Sequence, residues 1–138
     1  MWTTNASARS RATADQIFAI YQDVASWPRW DAGIAACRLD GPFQVGTPGM
    51  LQPAGGPELD FSLTWVEPGR GFGDRTPAGP ESAILFRHEL SEDGDGTLIT
   101  HTVIIEGPDA EKLSAGMSEG IAESVITLAR YAEEQAHG

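Results

Sequence analysis

Two histidines, His88 and His101, stand in alternating apolar stretches on either side of the turn cluster Asp93–Gly94–Asp95–Gly96. A turn centred on Gly94, or just before it, pairs these stretches in one of two hairpin registers. Both registers put His88 and His101 on the same sheet face, because side chains alternate with a period of two. That face also carries Ile84, Phe86, Leu90, Ile99, Val103 and Ile105, while Arg87, Glu89, Thr100 and Thr102 take the other. An imidazole with an ordinary pKa of ~6.5 can act as general acid or general base near neutrality. His88 and His101 are therefore the candidate catalytic groups, with Asp60 as a candidate to orient one of them. Two readings stand side by side. The histidines are core residues satisfied by a backbone carbonyl, Asp60, Ser62 or water, or they line a cavity and touch a ligand. No third ligand stands at a metal-binding spacing, so no metal and no cofactor is expected.

Trp27, Trp30 and Trp65 each combine a large apolar ring with one N–H donor. They serve as core plugs, or as the wall of a mouth suited to a flat or aromatic molecule. Gly116 and Gly120 lie four apart in a predicted helix, where each costs roughly 1 kcal/mol against alanine. They mark close packing on the sheet, or room for a ligand. Cys37 is the one cysteine, so no disulfide can form within the chain. That usage fits a reducing cytoplasm, and the thiol is expected to be buried and inert. The motifs His-Glu-x-x-His and Cys-x-x-Cys and a dinucleotide fingerprint are all missing. Gly55–Gly56 has no following Lys-Ser/Thr, so it is no phosphate loop. Any catalysis must come from scattered carboxylates, histidines and hydroxyls.

The elements that position these residues follow from periodicity. Residues 1–9 alternate and predict a half-buried strand. Ile17, Phe18, Ile20, Tyr21 and Val24 recur at helical spacing behind Thr13, a predicted N-cap with Gln16 three residues on. A second short helix is predicted from Ser26 to about Ala36, with Pro28 near its start. Short strands are expected at 36–40 and around Met50 and Leu51, bracketed by Gly-Pro clusters. Leu59, Phe61, Leu63 and Trp65 alternate with polar residues, a strong strand signal. A weaker strand spans 71–76, and two more span 82–90 and 97–106. Residues 109 to about 135 predict one long amphipathic helix whose apolar line is Leu113, Met117, Ile121, Val125 and Leu128. Short turns between successive strands imply an antiparallel meander with one face covered, and the last helix is the element long enough to cover it.

The chain has 138 residues, which predicts a single domain over 1–138. Its net charge of -11 opposes phosphate backbones and anionic lipid heads, so no nucleic acid or membrane-surface partner is expected. No apolar run approaches the ~20 residues of a membrane span, and the polar N-terminus lacks a signal-peptide core. A cytoplasmic monomer or homodimer is the expectation.

Several of these features occur together in one family. The run Ile17-Phe18…Asp23-Val24…Trp27-Pro28-x-Trp30-Asp31 is followed by Gly94-x-Gly96-Thr97 opening a strand, then by a Gly-Pro break and a long final helix. This pattern resembles the START-like, or SRPBCC-type, polyketide cyclase/dehydrase superfamily, and in particular its bacterial members. The resemblance implies an α+β helix-grip (Bet v 1-like) fold: a six- to seven-stranded antiparallel sheet wrapped around a long C-terminal helix, with two short helices after the first strand. It further implies a cavity between sheet and helix for a small hydrophobic or aromatic molecule, including lipids. Placed on this chain, the cavity is expected to be walled by Trp30, Met50, Phe61, Leu63, Trp65 and Phe86. His88, Ile99, His101 and Val103 would line it from the hairpin, and Met117, Gly120 and Ile121 from the helix. Three functions remain open: a non-catalytic binder, a cyclase or dehydratase using the histidines, and a partner-binding subunit resembling a chaperone activator.

Overall fold

A computed structural model describes residues 1–137. Its centre is a seven-stranded antiparallel sheet in the order β1-β7-β6-β5-β4-β3-β2. The strands are β1 (Trp2–Ser10), β2 (Ile34–Leu39), β3 (Pro48–Pro53), β4 (Leu59–Glu67), β5 (Gly71–Pro77), β6 (Ala83–Asp93) and β7 (Gly96–Glu106). Strands β2 to β7 form the predicted meander, and β1 returns beside β7. The curled sheet, the helices after β1 and the long last helix make the expected helix-grip architecture.

Local chemistry explains each element. β1 strictly alternates half-buried Trp2, Thr4, Ala6 and Ala8 with exposed neighbours, as an edge strand with one covered face should. Helix α1 (Ala14–Gln22) opens with a capping box: the Thr13 hydroxyl accepts from the Gln16 N–H at 3.1 Å, and the Thr13 N–H donates to Gln16 Oε1 at 2.9 Å. The pair satisfies two amides that the helix start leaves unpaired. Ile17, Phe18 and Tyr21 then face the core. The second helix is far shorter than predicted. A single 3-10 turn over Val24–Ser26 leads into α2 (Trp27–Trp30), and the chain is extended by Asp31. Ser26 does not cap it, because its hydroxyl donates backwards to the Asp23 carbonyl at 2.6 Å.

The β6–β7 hairpin takes one of the two expected registers, with His88 directly opposite His101 and Asp93 opposite Gly96. Its two-residue loop begins at Gly94 with φ +62°, a backbone region that glycine enters without steric penalty. The predicted long C-terminal helix is broken in two. Helix α3 spans Ala110–Leu113, and α4 spans Met117–His137. Gly116, at φ +77°, makes the break.

Helix α4 lies chiefly against β1 and β7 and buries Ile121, Val125, Leu128 and Ala132. One core cluster joins Tyr21, Trp27, Trp30, Phe72, Ile99 and Leu128. A second joins Ile84, Val103, Ile105, Ala110 and Ile121. Each such side chain contributes roughly 1.5–3 kcal/mol when fully buried. Among the described residues no helix is long and apolar enough to cross a membrane.

Candidate functional site

Between the two clusters lies a cavity of about 290 Å3. Leu51, Leu59, Ile84 and Phe86 line it from the sheet, Trp27 and Trp30 from α2, and Met117 and Ile121 from α4. Four of its lining residues, Gly33, Ala115, Gly116 and Gly120, are exposed and mark its mouth at the junction between α3 and α4. A Cβ built on Gly116 or Gly120 would meet nothing within 4 Å. Gly120 therefore marks open space, and the close-packing reading of this pair is set aside.

The polar side chains of the inner wall come from β5, β6, β7 and α4. Asp74 and Thr76 stand two apart on β5, and both are buried and line the cavity. His88 (8% exposed) and His101 (2% exposed) face each other across the hairpin, with ring centroids 4.6 Å apart. Their surroundings differ. The His88 ring stacks on Phe72 at 4.0 Å, and its Nδ1 lies 3.4 Å from the Phe72 carbonyl. A carbonyl only accepts, so Nδ1 carries the proton and Nε2 holds the lone pair. Nε2 makes no protein hydrogen bond among the described residues and is not among the sealed, unpartnered atoms. It therefore faces the cavity that its ring lines.

His101 is held at both ends. The Ser124 hydroxyl donates to the Ile121 carbonyl at 3.0 Å, which uses its one hydrogen. Ser124 Oγ must then accept from His101 Nδ1–H at 3.1 Å, and His101 Nε2 must accept from the Tyr21 hydroxyl at 2.9 Å. The chain Tyr21–His101–Ser124 links α1, β7 and α4. It fixes the tautomer of His101 and leaves neither ring nitrogen free for a ligand. The core reading of a satisfied histidine describes His101, whereas His88 is only half satisfied.

Burial governs the protonation of all these groups. It pushes His88 down to about 3 against a partial counter-effect from the Phe72 carbonyl. His101 is lowered well below its ordinary value by burial and by His88 beside it. Burial raises Asp74 to about 8, so its carboxyl is mostly neutral at pH 7. Burial also raises Tyr21 well above its ordinary value. Asp31, at the cavity edge, is raised by burial and by Glu123, against the Gly33 N–H that it accepts. Cys37 is half-buried, and burial with Asp74 nearby pushes its thiol up to about 12. It is less buried than the sequence predicts. No group of three or more His, Cys, Asp or Glu side chains among the described residues is placed to hold a metal.

Of the residues expected to wall the cavity, Trp30, Phe86, His88, His101, Met117, Gly120 and Ile121 do line it. Phe61, Leu63, Ile99 and Val103 are packed into solid core instead. Two lie on the other sheet face. Met50 pairs with Arg38 and Asp60 in an outward row, while the next row, Cys37–Leu51–Leu59, points in. Trp65 is turned out by a β-bulge between Leu63 and Trp65, which shifts the alternation by one residue. Arg87 then sits 4.4 Å over its ring. Asp60 is exposed on that outer face and cannot orient either histidine. The sequence reading missed Asp74, Thr76, Leu51 and Leu59. A signal for Asp74 existed: it stands two residues from Phe72, in phase on a strand whose weak alternation concealed it.

Residues 1–133 match the family described as polyketide cyclase / dehydrase and lipid transport. No match is found among curated protein sequences. Among solved structures, a protein from Mesorhizobium loti is similar with a TM-score of 0.79 at 14% identity, over 96% of this chain and 98% of that one. A protein from Arthrobacter aurescens gives 0.73 at 17% identity, over 96% and 86%. The structure of Ara h 8.0201 gives 0.70 at 12% identity, over 96% and 98%. Identities this low establish the shared fold alone. The family match spans nearly the whole sequence, and with it the chain belongs to the polyketide cyclase / dehydrase and lipid transport family.

Proposed function

We propose that the protein binds a compact, largely apolar or aromatic small molecule in the cavity between sheet and α4. The observation that carries this reading is the cavity itself. Its about 290 Å3 lies near the lower end of small-molecule sites, and its wall is aromatic and aliphatic with a few convergent polar groups. The test is titration with a panel of lipids and aromatics, read by tryptophan emission, because Trp27 and Trp30 both line the space. Saturable one-to-one binding is expected, and it should be lost in Gly120→Phe, which grows a ring into the opening. No binding across the panel, or equal binding by the filled variant, would overturn the proposal.

One observation favours a second reading, acid–base chemistry on the bound molecule. Asp74, protonated near neutrality, and His88, unprotonated, occupy neighbouring positions of the cavity wall. Environments that push two titratable groups apart are a mark of acid/base pairs. This assigns the acid to Asp74 and the base to His88, in place of a His88–His101 pair. Turnover of a polyketide-like substrate should vanish in Asp74→Asn and in His88→Ala while the fold persists. Unchanged turnover in both variants removes this reading.

A further inference from the structure

The cavity's polar end has a definite hydrogen-bond sense. His88 Nδ1 is committed to the Phe72 carbonyl, so the free Nε2 offers a lone pair and no proton. Asp74 makes no hydrogen bond among the described residues and, like His88 Nε2, is not sealed away from accessible space. In the strand register Phe72 opposes His88, and Asp74 opposes Phe86. Asp74 and His88 are thus diagonal neighbours on one face, about 7–8 Å apart at their backbones. That separation leaves room for one ligand oxygen between their polar tips.

The wall also lacks any positive counterpart. Among the described residues no Lys or Arg lines the cavity, while Asp31 and Asp74 both do. An anionic ligand would lose its hydration and find a lone pair and two carboxyl groups in exchange, which strongly opposes entry. A hydroxyl fits: it donates to one group and accepts from the other.

We infer that His88 and Asp74 make the cavity selective for an uncharged apolar ligand bearing a hydroxyl, which donates to His88 Nε2 and accepts from Asp74, and that they reject the matching carboxylate. This selectivity rests on the binding reading above and adds the chemical class of the ligand. Burial supports it, because it holds His88 near 3 and Asp74 near 8, so both are predominantly neutral at pH 7. His101 takes no part, since Tyr21 and Ser124 occupy its two nitrogens.

The test compares three probes of one shape at pH 7: naphthalene, 2-naphthol and 2-naphthoate. Each is titrated against the wild-type protein and against His88→Phe, which keeps a ring in place but removes the acceptor. The expected order in wild type is naphthol tightest, by roughly tenfold over naphthalene, with naphthoate weakest. In His88→Phe the advantage of naphthol should shrink to about nothing while naphthalene still binds. Equal binding of naphthol and naphthalene in wild type, or naphthoate binding best, overturns the selectivity and leaves the cavity reading standing. An undiminished naphthol preference in His88→Phe also overturns it. Failure of all three probes overturns the cavity reading with it.

Discussion

Gly116 and Gly120 are the same residue four positions apart, and the structure predicts opposite effects for the same substitution. Gly120 lies in the first turns of α4, its N–H donating to the Gly116 carbonyl at 3.0 Å. A methyl group there meets nothing within 4 Å. Gly120→Ala should therefore stabilise the protein by about 0.4–1 kcal/mol, through the smaller entropy of the unfolded chain. Gly116 has equal space but sits at φ +77°. A side chain there incurs roughly 1–2 kcal/mol of left-handed backbone strain. For 138 residues at about 2 cal/mol/K each, the unfolding entropy is about 0.3 kcal/mol/K. Gly120→Ala should then raise Tm by about 1–3 °C, and Gly116→Ala should lower it by about 3–7 °C. Calorimetry and urea titration of both variants at one pH provide the measurement. The reasoning fails if Gly120→Ala lowers Tm, since the glycine would then be needed for contact rather than space. It fails equally if Gly116→Ala is neutral, since the break between α3 and α4 would then not depend on glycine.

Three further outcomes follow from the buried polar groups. Asp74 has a folded pKa raised to about 8 against an ordinary unfolded value, so folding binds a proton. Wild-type stability should fall as pH rises from about 4 to about 8 through this group, and Asp74→Asn should remove that loss. Its advantage should be largest near pH 9 and vanish near pH 4 in urea titrations. Ser124→Ala leaves the His101 Nδ1–H without an acceptor at a fully buried site. It should destabilise by about 1–3 kcal/mol, and nitrogen NMR of the imidazole should show the tautomer preference weakened. Trp30 Nε1 is sealed and has no partner, whereas Trp27 Nε1 donates to the Tyr21 carbonyl at 3.0 Å. Trp30→Phe should therefore cost less stability in denaturant unfolding than Trp27→Phe, despite similar burial. The reverse order would contradict the assignment.

The parts of this site legible in the sequence are those governed by local rules. A period of two and a two-residue turn are enough to bring His88 opposite His101, and one helical turn is enough to cap α1 at Thr13. The parts that escaped depend on single-residue offsets. Nothing in Leu63-Thr64-Trp65 announces the bulge that turns Trp65 outward. The strand around Met50 and Leu51 is too short between its prolines to show which residue faces in. The break at Gly116 was concealed because a glycine in helical register reads the same whether its φ is negative or positive. The partners of His101 lie 80 residues before it and 23 after it, so no local pattern could have distinguished it from His88.

An accounting of buried polar side chains gives the binding proposal its weight. A closed core satisfies its hydrogen-bonding groups, because an unpaired one costs about 1–3 kcal/mol. Most of this fold does so. Ser10 donates to the Ala129 carbonyl, tying β1 to α4, and Thr97 donates to the Ala12 carbonyl, tying β7 to the segment that leads into α1. Ser26, Ser82, His101 and Ser124 are likewise paired. Apart from Thr47 and the sealed Trp30 Nε1, the buried side chains left with unused capacity among the described residues are Asp74, Thr76 and His88, and all three line the same cavity. Random imperfections of packing would scatter such groups through both core clusters. Their concentration on one wall, beside two tryptophans and under an opening flanked by glycines, is what a site prepared for an outside hydrogen-bonding partner requires. The same accounting separates the two histidines: His101 belongs to the scaffold, and His88 is the one whose removal should change binding more than stability.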